Sequence, residues 1–105
     1  MTLLVIGISH HQAPVAIREK VAIGTDVLDL ALENVKASKF LPEDSEVILL
    51  STCNRTEIYC HAASAGDLLA WLAAYCNIRV DEISSYHYRF EHMDALKHLM
   101  EVAAG

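Results

Sequence analysis

With 105 residues, 53% of them hydrophobic and 21% charged, the chain has room for one domain with a modest core and is too apolar to stay disordered. A formal charge of −6 and eight scattered basic residues leave no phosphate-tracking patch, which argues against general nucleic-acid binding. Three cysteines without a paired spacing suit a reducing compartment rather than a disulfide framework.

Met1 to Gly7 is apolar, but it lacks a basic flank and reaches His10 too soon for a signal peptide. No stretch approaches a membrane-spanning length, so a cytoplasmic chain is expected. Thr2 to Ser9 reads as a central strand. Ser9 to Pro14 breaks it, with Pro14 placed to open a turn or short helix. Val15, Ile17, Arg18 and Val21 supply one or two helical turns, which Gly24 stops. A helix from about Asp26 to Ser38 follows, with Thr25 as N-cap and the stripe Leu28, Ala31, Leu32 and Val35 at helical spacing.

Val47 to Leu50 is an unbroken apolar run, read as a strand buried on both faces; Arg55 to His61 alternates and reads as half-exposed. Thr52-Cys53-Asn54-Arg55 forms the tight turn between them. Ala63 to Gly66 punctuates the chain, and a helix runs from Asp67 to about Cys76, facing the core with Leu68, Leu69, Leu72, Tyr75 and Cys76. Cys76 reads as a small buried hydrophobe, and Asn77 ends the helix. Ser84 to Phe90 alternates as a fourth strand, with Tyr86, Tyr88 and Phe90 on one face and His87 and Arg89 on the other. The last helix begins near His92 to Asp94 and carries the stripe Leu96, Leu99, Met100 and Ala103. This order predicts an α+β, ferredoxin-like βαββαβ fold: a four-stranded antiparallel sheet with helices on one face, plus a C-terminal helix.

Cys53 is the leading chemical candidate. Positive charge and backbone N–H groups at a polar turn favour the thiolate, although position alone fits a small turn residue with an idle thiol equally well. Asn54 is a common turn former. Arg55 is either a solvated strand-edge charge or a guanidinium that grips a carboxylate bidentately. Glu57 projects from the same face as Arg55 and reads first as its ion-pair partner. His10 and His11 occupy the kind of loop that carries function. His98 lies off the main stripe of the last helix, in a second row with Ala95 and Val102. There it is either a half-covered flank residue or a general acid or base. His61, His87 and His92 read as surface positions. Cys60 and His61 are adjacent in a strand and point to opposite faces, which opposes joint metal ligation. No glycine-rich phosphate loop and no basic-aromatic interleaving is present.

Ser51-Thr52-Cys53-Asn54-Arg55-Thr56-Glu57-Ile58-Tyr59 resembles the signature of the glutamyl-tRNA reductases. Gly7 to Val15 with Arg18-Glu19 is similar to that family's N-terminal block, and His98 to Gly105 to the start of its next one. The resemblance implies that Cys53 attacks the ester carbonyl of glutamate carried on tRNA(Glu), releasing the tRNA and leaving a thioester. Hydride from NADPH then yields glutamate-1-semialdehyde for tetrapyrrole (haem) biosynthesis. It implies glutamate recognition by Thr52, Asn54 and Arg55, with Arg55 on the side-chain carboxylate, and an acid/base role for His98. Glu57 matches a motif position to which the resemblance attaches no role.

The same resemblance makes residues 1–105 the N-terminal catalytic domain of a much longer, homodimeric protein. Its NADPH-binding and helical dimerisation domains would lie outside this sequence, and hydride transfer with them. The partners implied are glutamyl-tRNA(Glu), haem as a feedback ligand held through His or Cys, the aminomutase next in the pathway, and a proteolytic adaptor. A second reading makes the isolated domain a regulatory module that engages haem or the adaptor without turnover.

Overall fold

The computed structural model describes residues 3–24, 26–42, 45–52, 54–61 and 64–104. Within them the order is β1 (Leu3–Ser9), α1 (Val15–Val21), α2 (Leu28–Ala37), β2 (Val47–Ser51), β3 (Arg55–His61), α3 (Ala65–Cys76), α4 (Val80–Ser84), β4 (His87–Glu91) and α5 (His92–Ala104). The strands lie in the order β2-β3-β1-β4, and every neighbouring pair is antiparallel. This is the expected ferredoxin-like sheet. No described helix is long and apolar enough to cross a membrane.

The period of two along each strand divides the core. Leu4, Ile6 and Ile8 of β1 share one face with Ile58 and Cys60 of β3, packed against Val21, Val35, Leu68, Leu72 and Ile83. The intervening residues Val5 and Tyr59, with Phe90 of β4, face the other side, where Ala95 and Leu99 of α5 cover them. The chain passes from β4 to α5 without a loop, turning at His92, whose φ of 57° is left-handed. That conformation, more accessible to His than to most non-glycine residues, marks the point where α5 turns off the β4 edge.

Two strand expectations are reversed. The apolar run of β2 lies at the sheet edge, and Ile48 is 56% exposed. The alternating β3 is central, and Thr56 to Cys60 are all buried. A central strand with α5 over its second face hides both sets of side chains, whatever their polarity. An edge strand has a neighbour on one side only.

The helices need smaller corrections. α2 starts at Leu28 behind Val27, and the expected cap Thr25 lies outside the described residues. Of its stripe, Ala31 and Val35 are fully buried, while Leu28 and Leu32 are partly covered. α3 begins earlier than expected, with Ser64 Oγ accepting from Asp67 N. Its core face includes Trp71, which the expected stripe omitted; the indole is buried and donates to Asn34 Oδ1 at 2.9 Å. Val80–Ser84 forms a short helix, so β4 starts at His87 and Tyr86 packs with the main core instead. In α5 the expected stripe faces outward at Leu96 and Met100, and the row containing Ala95, His98 and Val102 turns inward.

Burial raises the thiol of Cys60, and it pushes Cys76 from the ordinary 9.0 up to about 11. An acid whose pKa is raised on folding stays protonated in the native state while the unfolded chain ionises. Its contribution to stability is therefore complete below the unfolded value and is lost as pH rises. Urea midpoints are expected to fall progressively as pH rises from 9.0 through about 11, at constant slope. A flat midpoint across that window would contradict the burial of these thiols.

Candidate active site

The sequence places Cys53 between β2 and β3, and it lies outside the described residues. Its neighbours define the turn. Thr52 N donates to Arg55 O at 2.8 Å, which closes the hairpin. Thr52 Oγ1 accepts from Asn54 N at 3.1 Å and from Arg55 N at 3.2 Å. A hydroxyl that takes two backbone N–H groups ties the turn to its own first residue. Thr52 therefore shapes the turn as well as facing the cleft.

The loop after β1 braces the turn from the side. His10 N donates to Asn54 O at 2.8 Å, His11 Nε2 lies 3.0 Å from Asn54 Oδ1, and Arg18 reaches His10 O at 3.1 Å. Beneath it, Thr56 Oγ1 donates to Val21 O at 2.9 Å and lies 3.1 Å from His10 Nε2. A hydroxyl has one hydrogen, so with that hydrogen on Val21 O it accepts from the His10 ring. Ser51 Oγ accepts from Ile23 N at 3.1 Å and joins the same group. These bonds fasten α1 and the segment after it to the base of the hairpin. His10 and His11 thus position the site.

On the other face of β3 stand Arg55, Glu57 and Tyr59. Glu57 is fully buried. Its Oε1 accepts from Tyr59 Oη at 2.7 Å; its Oε2 accepts from Tyr88 Oη and lies 2.5 Å from His98 Nε2. The Arg55 guanidinium is 4.0 Å away, so the expected ion pair exists, but it is the longest of these contacts. Both phenols are held well above the ordinary tyrosine value, first by burial and then by Glu57 through its hydrogen bond and charge. Tyr88 and Glu57 sit on strands that do not touch. Gly7 lies between them, opposite each in register, and a side chain there would overlap the Tyr88 ring.

His98 comes to this cluster from α5. Phe90 stacks on its ring at 4.6 Å, and Tyr88 meets it edge-on at 5.6 Å. Thr52, Asn54, Arg55 and His98 line one cleft of about 360 Å³ together with Glu101 and Val102. A second opening, lined by Ser9, Gln12, Arg55, Tyr88, Phe90 and His98, lies beside it. The four described residues to which the resemblance gives a role, Thr52, Asn54, Arg55 and His98, therefore share one cleft. The hub that joins them, Glu57 with Tyr59, Tyr88 and Gly7, was read only as an ion-pair partner and ordinary strand residues. Its sequence signals were the period of two, which puts Arg55, Glu57 and Tyr59 on the same side, and the presence of Gly7, Glu57 and Tyr59 in the blocks that carry the resemblance.

The cleft sets a cation, polar turn groups and an imidazole around one opening, a combination suited to a carboxylate-bearing acyl group. Comparison with known proteins gives the family. Residues 6–105 match the family described as Glutamyl-tRNAGlu reductase, N-terminal domain. The chain is 41% identical over its whole length to the glutamyl-tRNA reductase of Shewanella pealeana, and 44% to that of Xanthomonas campestris pv. phaseoli. Against the glutamyl-tRNA reductase of Saccharophagus degradans it is 42% identical, again over the whole chain. It spans about a quarter of the length of these relatives, 24%, 23% and 24% in turn. The chain belongs to the family of glutamyl-tRNA reductase N-terminal domains.

Proposed function

We propose that this chain is the acyl-accepting catalytic domain of a glutamyl-tRNA reductase, an oxidoreductase of cytoplasmic tetrapyrrole biosynthesis, and that Cys53 is its acyl carrier. The carrying observation is the shared cleft, which joins the turn residues Thr52, Asn54 and Arg55 to His98 from the far end of the chain. Arg55 binds the side-chain carboxylate of the glutamyl group, and a bidentate, charge-assisted pair makes that contact selective. Thr52 and Asn54 hold the turn in shape and border the acyl group. The Cys53 sulfur attacks the ester carbonyl, the bond from that carbon to the tRNA ribose oxygen breaks, and the thiol proton passes through His98 to that oxygen. The products are a glutamyl thioester and free tRNA.

Reduction of the thioester needs a hydride, which NADPH supplies in the full-length enzyme. The described residues do not fit that cofactor. Gly7 lies inside β1 under Tyr88, Gly24 in the segment after α1, and Gly66 within α3. Of these, Gly66 alone lies in the first turn of a helix that follows a strand, without the neighbouring glycines that let a backbone close on a pyrophosphate. The domain's own step is thus acyl transfer, with dimerisation and hydride transfer assigned to the rest of the protein. Haem, the aminomutase and a proteolytic adaptor stay partners implied by the family alone, with no described residue assigned to them.

Incubation with glutamyl-tRNA(Glu), followed by mass spectrometry of the digested chain, is expected to find a glutamyl adduct on Cys53. Cys60 and Cys76, whose thiols burial holds protonated, should carry none. Cys53→Ala should abolish the adduct. An adduct on another cysteine, or none on the folded wild-type chain, would refute the proposal.

A further inference from the structure

Glu57 is buried at the centre of the site, yet acyl transfer gives it no direct contact with substrate. We infer that Glu57 is a positioning residue: with Tyr59 and Tyr88 it holds the proton of His98 on Nε2 and leaves Nδ1 as the nitrogen that serves the substrate. The inference rests on the acyl transfer proposed above and adds the device that sets its proton carrier.

The tyrosines each spend their only hydroxyl hydrogen on this carboxylate, one on each oxygen. Oε2 therefore meets the His98 ring as an acceptor at 2.5 Å. With its proton on Nδ1, the ring would aim a lone pair from Nε2 at that oxygen; with the proton on Nε2, it donates a charge-assisted bond. Phe90 and Tyr88 pack against the ring and hold it with Nε2 toward Glu57 Oε2. Among the described residues Nδ1 makes no hydrogen bond.

The choice of tautomer is thus made before substrate arrives. The Nδ1 lone pair takes the thiol proton, the resulting imidazolium is steadied by the Glu57 charge, and Nδ1–H returns the proton to the departing ribose oxygen. Glu57 itself exchanges no proton.

Long-range ¹⁵N–¹H spectra of the 105-residue chain test this directly. Wild type should show His98 as the Nε2–H tautomer with a downfield, slowly exchanging Nε2 proton. Glu57→Gln should lose that proton and populate both tautomers. It should also slow acylation of Cys53 by roughly 10²-fold, with the half-saturating concentration of glutamyl-tRNA unchanged. Tyr88→Phe, which keeps the ring, should fall between the two and serves if Glu57→Gln does not fold. A wild-type Nδ1–H tautomer would overturn the inference, as would a folded Glu57→Gln with unaltered tautomer and rate. If wild type accepts no glutamyl group, the proposed function fails while the spectra still decide the role of Glu57.

Discussion

Gly7→Ala is expected to destabilise the chain by about 1–3 kcal/mol and to part Tyr88 from Glu57. The reason is space. Tyr88, Gly7 and Glu57 form one row across β4, β1 and β3. A Cβ at position 7 would lie 2.6 Å from Tyr88 Cε1 and 2.5 Å from its hydroxyl. A free tyrosine could swing aside at little cost. This one is held by its bond to Glu57 and by the rings of Phe90 and His98, so moving it forfeits a hydrogen bond to a charged group. A double-mutant cycle checks the cause. Gly7→Ala should cost little when Tyr88 is already alanine, giving a coupling of about 1–2 kcal/mol in urea unfolding. Simply additive costs would mean that Gly7 matters for some other reason.

Arg55→Met should slow acylation of Cys53 by roughly 10²–10³-fold and erase the preference for glutamyl- over glutaminyl-tRNA. Arg55 borders both openings of the site, and a guanidinium in that place is the natural partner of the glutamate side chain. Arg55→Lys keeps the charge but loses the planar fork, so most of the defect should remain. Stability separates recognition from scaffold. Arg55 also sits 4.0 Å from buried Glu57, but its own side chain is 36% exposed. Solvent screens such a pair, and three closer donors already serve the carboxylate. Unfolding should therefore shift by less than about 1 kcal/mol. A variant that still rejects glutaminyl-tRNA as strongly as wild type would remove Arg55 from the recognition role.

Much of the architecture was readable in advance because it is written in local periods. The apolar run of β1, alternation in β4, helical spacing in α2 and α3, and the polar break at Thr52 to Arg55 each depend on a few neighbouring residues. Their order was enough to name the ferredoxin-like sheet, and the turn drew attention to Cys53 before any fold was known. The errors have a common origin. β2 is more apolar than β3, yet β3 is the buried one, because strand position and the covering α5 decide exposure. The same holds for α5: of the apolar stripe, Leu96 and Met100 are left outside, while Leu99 turns to the sheet beside the row of Ala95 and His98.

The sequence alone settled which residues share a face: Arg55 with Glu57 and Tyr59, and His98 with Ala95 and Val102. It also placed a cysteine beside an arginine in a hairpin turn. Only the tertiary structure decided what those faces meet. α5 lies over the second side of the sheet, so His98 reaches Glu57 across a sequence separation of 41 residues. Gly7 matters because Tyr88 must cross above it, and no local pattern records that crossing. Periodicity assigns a residue to a side of its own element. The partner on that side is set by packing between distant segments, where Glu57 becomes the centre of the site.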